Sequence, residues 1–216
     1  MVQNGGTLFR MTTGSGLREL KRERALAALS RAAISLATEG GGPDTVTVDA
    51  IAERAEVSRR TFFNYFPTKE AAFTWPLHST AARFAAALAA RPDGEPIWDV
   101  VQHAIEATLT SPETDLALVA AAEALVAAAP TLVLAHDWKS HGRHPLEDVI
   151  RDLNAEFARR LPGGLADDVY GQLVVECSST ALRVAARVCA QRGGDPLPHI
   201  ASVVDMLRGG IRPAQP

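Results

Sequence analysis

Apolar positions recur at helical spacing along nearly the whole chain. Leu26, Leu29, Ala33 and Leu36 fall three or four apart within residues 17–39, and the run Gly40-Gly41-Gly42-Pro43 predicts an abrupt stop. Thr47 is placed to cap a second helix, in which Val48, Ile51, Ala52 and Ala55 form a narrow stripe of small side chains. Small residues let another helix cross closely. The next one begins after a turn of three residues, Glu56-Val57-Ser58, the length expected of a helix-turn-helix. Ser58 can cap that third helix by accepting from the N–H of Arg60 or Thr61. Phe62 and Phe66 then share one stripe, Arg60 and Asn64 lie on the opposite side, and Pro67 ends the helix. Thr68 can cap a fourth helix that starts at Lys69 and aligns Phe73, Leu77, Phe84 and Leu88, with Pro76 predicting a kink or a split.

The remainder follows the same period. Residues 91–95 read as a loop; Ile97, Val101, Ala104, Ile105 and Leu109 predict a fifth helix, and Leu116, Val119, Ala120 and Val126 a sixth before Pro130. Residues 132–139 are ambiguous, because Gly142 and Pro145 interrupt them. Leu146, Val149, Ile150, Leu153, Phe157 and Leu161 make a clean amphipathic helix ended by Pro162-Gly163-Gly164. In residues 166–191, Val169, Leu173, Cys177, Ala181, Val184 and Val188 form one stripe and Leu182, Ala186 and Cys189 a second; residues 196–207 add Ile200, Val203, Val204 and Leu207. A helix apolar on two sides wants partners on two sides. The fold class expected is all-α. The organisation expected is a disordered arm over residues 1–16, a three-helix helix-turn-helix domain over 17–75 and a larger helical domain over 76–212.

Composition changes this picture little. The chain has 216 residues, enough for one large or two small domains, with 47% apolar residues and only 6% aromatics. No apolar run reaches membrane-spanning length and no leader is legible, so the expectation is a cytoplasmic protein without a membrane partner. Cys177 and Cys189 sit too far apart along one helix to bond to each other, and free buried thiols are expected.

Charge matters more. The net charge is −3, but residues 1–75 carry 10 Lys/Arg against 8 Asp/Glu and the rest carry 12 against 17. Arg59 and Arg60 stand in the first turn of the third helix with no carboxylate beside them. The helix dipole is positive there, so each costs about 0.3–1 kcal/mol. A phosphate or a guanine edge would reverse that penalty, which makes this stretch a candidate for reading DNA.

Residues 29–73 resemble the N-terminal DNA-binding domain of the tetracycline-repressor-like (TetR) family of bacterial transcriptional regulators. The likeness rests on Ala32-Ala33 and Leu36 before Glu39 and Gly41, then Thr47-Val48-Asp49-Ala50-Ile51-Ala52, Ala55-Glu56-Val57-Ser58, Thr61-Phe62-Phe63-Asn64-Tyr65-Phe66 and Lys69-Glu70. It implies a homodimeric repressor on a palindromic double-stranded DNA operator, released by a small-molecule ligand held in the C-terminal domain, with the last two long helices of each subunit forming a four-helix dimer contact. It also implies that Thr47, Tyr65 and Lys69 contact phosphate, while Arg59, Arg60, Thr61 and Asn64 face the major groove from the helix that Ser58 caps. Two positions depart from the family pattern. Glu56 stands where the turn usually has Gly, so it either accepts a left-handed backbone or shifts the turn. Phe63 replaces a tyrosine whose hydroxyl would reach phosphate, which suggests a packing role.

Candidate chemistry elsewhere is thin. Residues 136–144 hold His136, His141 and His144, but their spacing matches no zinc pattern. Gln172, Glu176, Thr180, Arg183 and Arg187 form a polar stripe that faces either solvent, the dimer contact or a ligand cavity. Phe84, Trp98, His103 and Trp138 are aromatic pocket candidates, each equally readable as core. No cofactor is called for. No nucleophile, base and orienting partner stand at usable spacing, so a non-enzymatic regulator is expected, with an enzyme or metal protein on the C-terminal helices as the alternative.

Overall fold

The computed structural model describes residues 13–134, 145–161 and 169–209, and every regular element among them is helical. The elements are α1 (Thr13–Gly40), a 3-10 turn (Pro43–Thr45), α2 (Val48–Arg54), α3 (Arg59–Tyr65), α4 (Lys69–Ala89), α5 (Ile97–Leu109), α6 (Leu116–Ala128), α7 (Thr131–Leu134), α8 (Pro145–Arg160), α9 (Val169–Arg192) and α10 (Leu197–Arg208). Helix α1 takes in residues 13–16, the end of the stretch expected to be an arm, including Gly14 and Gly16. Pro76 does not split α4, which runs unbroken for 21 residues. The missing N–H deprives only the Ala72 carbonyl of its partner.

Two cores organise the chain. The first gathers Leu29, Ala33 and Ile34 of α1, Ile51 of α2, Phe62 of α3, Phe66, and Ala72 and Phe73 of α4. Leu118 and Ala122 of α6 and Leu132 of α7 complete it. The second gathers Phe84 and Leu88 of α4, Val100, Val101, Ala104 and Ile105 of α5, Leu153 and Phe157 of α8, Val174 to Cys189 along α9, and Ile200 and Val204 of α10. Helix α4 therefore runs through both, and Leu77, next to Pro76, packs against each.

Polar groups fasten the ends. Arg160, with only 5% of its side chain exposed, donates to the carbonyls of Leu88 (2.8 Å), Arg91 (2.8 Å) and Pro92 (3.0 Å) and pairs with Glu156 at 2.6 Å. Leu88 lies in the last turn of α4 and Arg91 and Pro92 just past it, so one guanidinium on α8 gathers the carbonyls around the C-terminus of α4. Asp115 caps α6 by accepting from Leu118 N–H at 3.0 Å and binds Arg31 of α1 at 2.7 Å, and Arg83 of α4 pairs with Glu23 of α1. Cys189 is buried, which pushes its thiol pKa up, whereas Cys177 is only half-buried; both are free.

The turn between α2 and α3 resolves the question raised by Glu56. Its φ is +55°, the left-handed region. A side chain there costs about 1–2 kcal/mol relative to glycine's freedom, so Glu56→Gly should raise the unfolding free energy by roughly 0.5–1 kcal/mol, read from urea titration of the ligand-free protein. A second outcome concerns acid. Hydrogen bonds from Arg54, at 2.9 and 3.1 Å, hold the Glu39 carboxyl down at about 2 and join the end of α1 to α2. A depressed carboxylate stabilises the fold above its unfolded value near 4.5 and loses that contribution as pH falls towards 2. Glu39→Gln should flatten the stability profile across that window.

Candidate nucleic-acid interface and ligand cavity

Helices α2 and α3 have seven residues each, too short to persist alone. Their starts are closed by side chains. Thr47 accepts from Ala50 N–H at 3.2 Å, Ser58 from Thr61 N–H at 3.0 Å, and Thr68 does the same for α4 through Ala71 N–H at 3.2 Å. Phe62 (fully buried) and Phe66 then pin α3 to the core, with ring centroids 5.9 Å apart. The opposite face carries Arg60 and Asn64, both exposed and one helical turn apart.

The remaining predicted residues are not free in the same way. Arg59 is exposed, but one of its guanidinium nitrogens bonds both carboxylate oxygens of Asp49, at 2.8 and 3.0 Å, while its carbon lies 5.6 Å from the centroid of the Phe63 ring. Phe63 is therefore not core packing. It stays 45% exposed, edge-on to Phe62 at 5.5 Å, and serves as a platform for Arg59. The Thr61 hydroxyl lies 2.8 Å from that of Ser58, so the two are hydrogen-bonded to each other. Tyr65 is half-buried against the first core. Lys69 reaches back across the domain, donating to the carbonyls of Val46 at 2.8 Å and Pro43 at 3.1 Å. That brings its ammonium beside Thr47 and leaves one of three protons unspent. Lys69 thus ties the start of α4 to the start of α2, a role the sequence did not announce.

Two cavities lie further along the chain. One, about 690 Å³, sits between α1, α4 and the start of α6, rimmed by the Arg31–Asp115 and Arg83–Glu23 pairs and floored by Trp75 and Pro76. The other, about 250 Å³, lies between α4, α6, α8 and α9, and Leu77, Phe84, Val119, Ile150, Leu153 and Leu182 give it apolar walls. Of the residues expected to line a pocket, Phe84 does. Trp98 packs instead against the second core, and His103 is exposed, its Nδ1 2.8 Å from Glu95. Neither lines either cavity, and Gln172, Glu176 and Thr180 face outward on α9. Trp138 and the three histidines of residues 136–144 lie outside the described residues. The residue that sequence reasoning missed is Glu123, which lines the smaller cavity with its Oε1 buried and without a hydrogen-bond partner. A signal existed: it is the one charged residue in the alanine-rich stretch 116–134.

A short capped helix with an exposed polar face, joined by a tight turn to the helix behind it, defines a helix-turn-helix protein. The family model described as bacterial regulatory proteins, tetR family, matches residues 27–73. The HTH-type transcriptional regulator TcmR of Streptomyces glaucescens is 30% identical over 206 residues, covering 93% of this chain and 88% of that protein. Among solved structures, a transcriptional regulator from Rhodococcus sp. Rha1 aligns at 20% identity over 86% of this chain and 95% of its own, with a TM-score of 0.47. FadR, a TetR-family transcriptional repressor of Thermus thermophilus solved with lauroyl-CoA, aligns at 19% identity over 88% and 97%, with a TM-score of 0.34. The chain belongs to the TetR family of bacterial transcriptional regulators. No helix among the described residues is long and apolar enough to cross a membrane.

The double tether of Lys69 generates a prediction that needs no DNA. Lys69→Met should lower the unfolding free energy by about 1–2 kcal/mol, the range for losing partly exposed charge-assisted hydrogen bonds, in urea titration of the free protein. A side chain serving phosphate alone would leave that value unchanged.

Proposed function

We propose that the protein is a homodimeric repressor that binds a palindromic DNA operator through α3 and is released by a small ligand held in the cavity between α4, α6, α8 and α9. The observation that carries the DNA reading is the exposed Arg60–Asn64 face on a helix whose other side is pinned by Phe62 and Phe66. Arginine can pair with both major-groove acceptors of guanine and asparagine with adenine, each good pair contributing about 1–3 kcal/mol of discrimination. The amides at the start of α3, the Thr47 hydroxyl and the unspent Lys69 proton suit the phosphate backbone on either side. Arg59 joins them once it leaves Asp49. Thr61 and Tyr65 complete this surface, and the division of labour follows: residues 17–75 read DNA and residues 76–212 sense and dimerise. The chain acts by binding and carries out no chemistry of its own.

Dimerisation is supported by α9. Its stripe of Val169, Leu173, Cys177, Val184 and Val188 is left open, with Val169 73% and Leu173 56% exposed, while the other face is buried. Met206 on α10 is also exposed. Paired with a second copy, these helices form a four-helix contact that sets two copies of α3 about 34–36 Å apart, one turn of DNA. Ligand release has a physical route through α6, because Leu118 and Ala122 pack in the first core and their neighbours Val119 and Glu123 line the cavity. A ligand that prefers a shifted α6 favours the state with the wrong spacing.

Gel shift with the DNA upstream of the protein's own gene tests the reading. Binding should weaken steeply with salt, and Arg60→Ala and Asn64→Ala should each weaken it about 5- to 150-fold without changing the melting temperature. Undiminished binding by the double variant would remove α3 as the reading element.

A further inference from the structure

The cavity between α4, α6, α8 and α9 is lined by one residue with a buried side-chain polar atom that the protein itself leaves unanswered. The two threonines on its α4 wall have already given their hydroxyl protons to their own helix, Thr74 to the Glu70 carbonyl at 3.2 Å and Thr80 to the Pro76 carbonyl at 2.8 Å. Glu123 on the α6 wall has not been matched in this way, because its Oε1 is buried and accepts nothing. Burial pushes its carboxyl above the usual range, and the charges of Arg183 and Arg187 on α9 pull in the opposite direction without forming an ion pair with it among the described contacts. His78 of α4 and Ser179 and Arg183 of α9 also line the cavity; Glu123 is its acidic group.

A buried acceptor without a donor is penalised until something supplies the missing hydrogen. A guest that supplies one recovers that penalty on binding, while an isostere without a donor keeps it in place. Discrimination then exceeds what apolar contact alone gives. A guest carboxylate would meet the Glu123 charge across a space of low polarity. The volume of about 250 Å³ suits a compact molecule, a little below the range of drug-sized sites.

We propose that this cavity, taken as the ligand site of the regulator proposed above, selects compact apolar molecules that carry a hydroxyl or amine donor for Glu123 Oε1, and disfavours the same skeleton carrying a methyl ether or a carboxylate. Glu123 is thus the specificity-determining residue of the site, and the apolar walls supply affinity without choosing among functional groups.

Isothermal titration of the full-length protein with 2-naphthol, 2-methoxynaphthalene and 2-naphthoate tests this, since the three share one rigid apolar skeleton and differ in a single group. The expected result is 2-naphthol binding at least tenfold more tightly than either of the others. Glu123→Leu should bring 2-naphthol down to the level of the ether and leave the ether unchanged, in a variant whose circular dichroism and dimer mass match the wild type. Leu153→Trp, which fills the cavity from α8, should abolish binding of both and so locate the guest. Equal binding of the three, preference for the naphthoate, absence of any binding, or a 2-naphthol preference that survives Glu123→Leu would each overturn the inference. A gel shift on the same preparation keeps the two readings apart. Operator binding without donor preference removes only this inference, and donor preference at Glu123 without operator binding removes only the regulator.

Discussion

Burial of Phe62 within a helix of seven residues, and of Phe66 just past its end, is the constraint on which the exposed face of α3 depends. Such a helix makes too few internal hydrogen bonds to offset the order it requires, so α3 exists because its two rings are held in the first core and its first amides are met by Ser58. Stability here is supplied mainly from the inner side, with the Arg59–Asp49 pair tying the outer side to α2. That leaves Arg60 and Asn64 free of structural duty, exposed polar groups on a helix that nevertheless keeps one orientation. The same division holds for α2, where Thr47 closes the start and Ile51 and Ala52 are buried.

The rest of the molecule is arranged around two helices that belong to both cores. Helix α4 gives Ala72 and Phe73 to the first and Phe84 and Leu88 to the second. Helix α6 gives Leu118 and Ala122 to the first, and the side chains one position on line the cavity. Successive residues on a helix point about 100° apart, so α6 faces two environments at once. Its apolar face alone does not stabilise the start of the helix; Asp115 caps it, and Arg31 fixes that carboxylate to α1.

Much of this was legible in the sequence, and the reasons are local. Thr47, Ser58 and Thr68 could be recognised as caps because capping depends on a residue type at one offset from a helix start. The stripe of Phe62 and Phe66 follows from period alone, and Glu56 announced a left-handed backbone because it stands in a turn that normally uses glycine. What could not be read depends on which elements meet. Lys69 looks like a free cation until α4 is packed beside the turn at Pro43, and Arg59 looks like its neighbour Arg60 until Asp49 is placed opposite it. The polar stripe of Gln172, Glu176 and Thr180 and the lone Glu123 are equally visible as patterns, yet packing sends the first outward and the second into a cavity.

Fastening at both ends gives α4 a mechanical character. Its first residue, Lys69, is hooked to the carbonyls in front of α2, and its last turn is gripped by Arg160. Between these anchors lie Leu77, Ala81 and Phe84, one wall of the cavity. A beam held at its tips has little freedom to absorb a sideways push by pivoting at a loose end, so displacement at mid-span is passed to whatever the tips are attached to. At the N-terminal tip that attachment is Val46, the residue next to Thr47, so the cavity wall and the start of α2 are joined without any flexible linker in between.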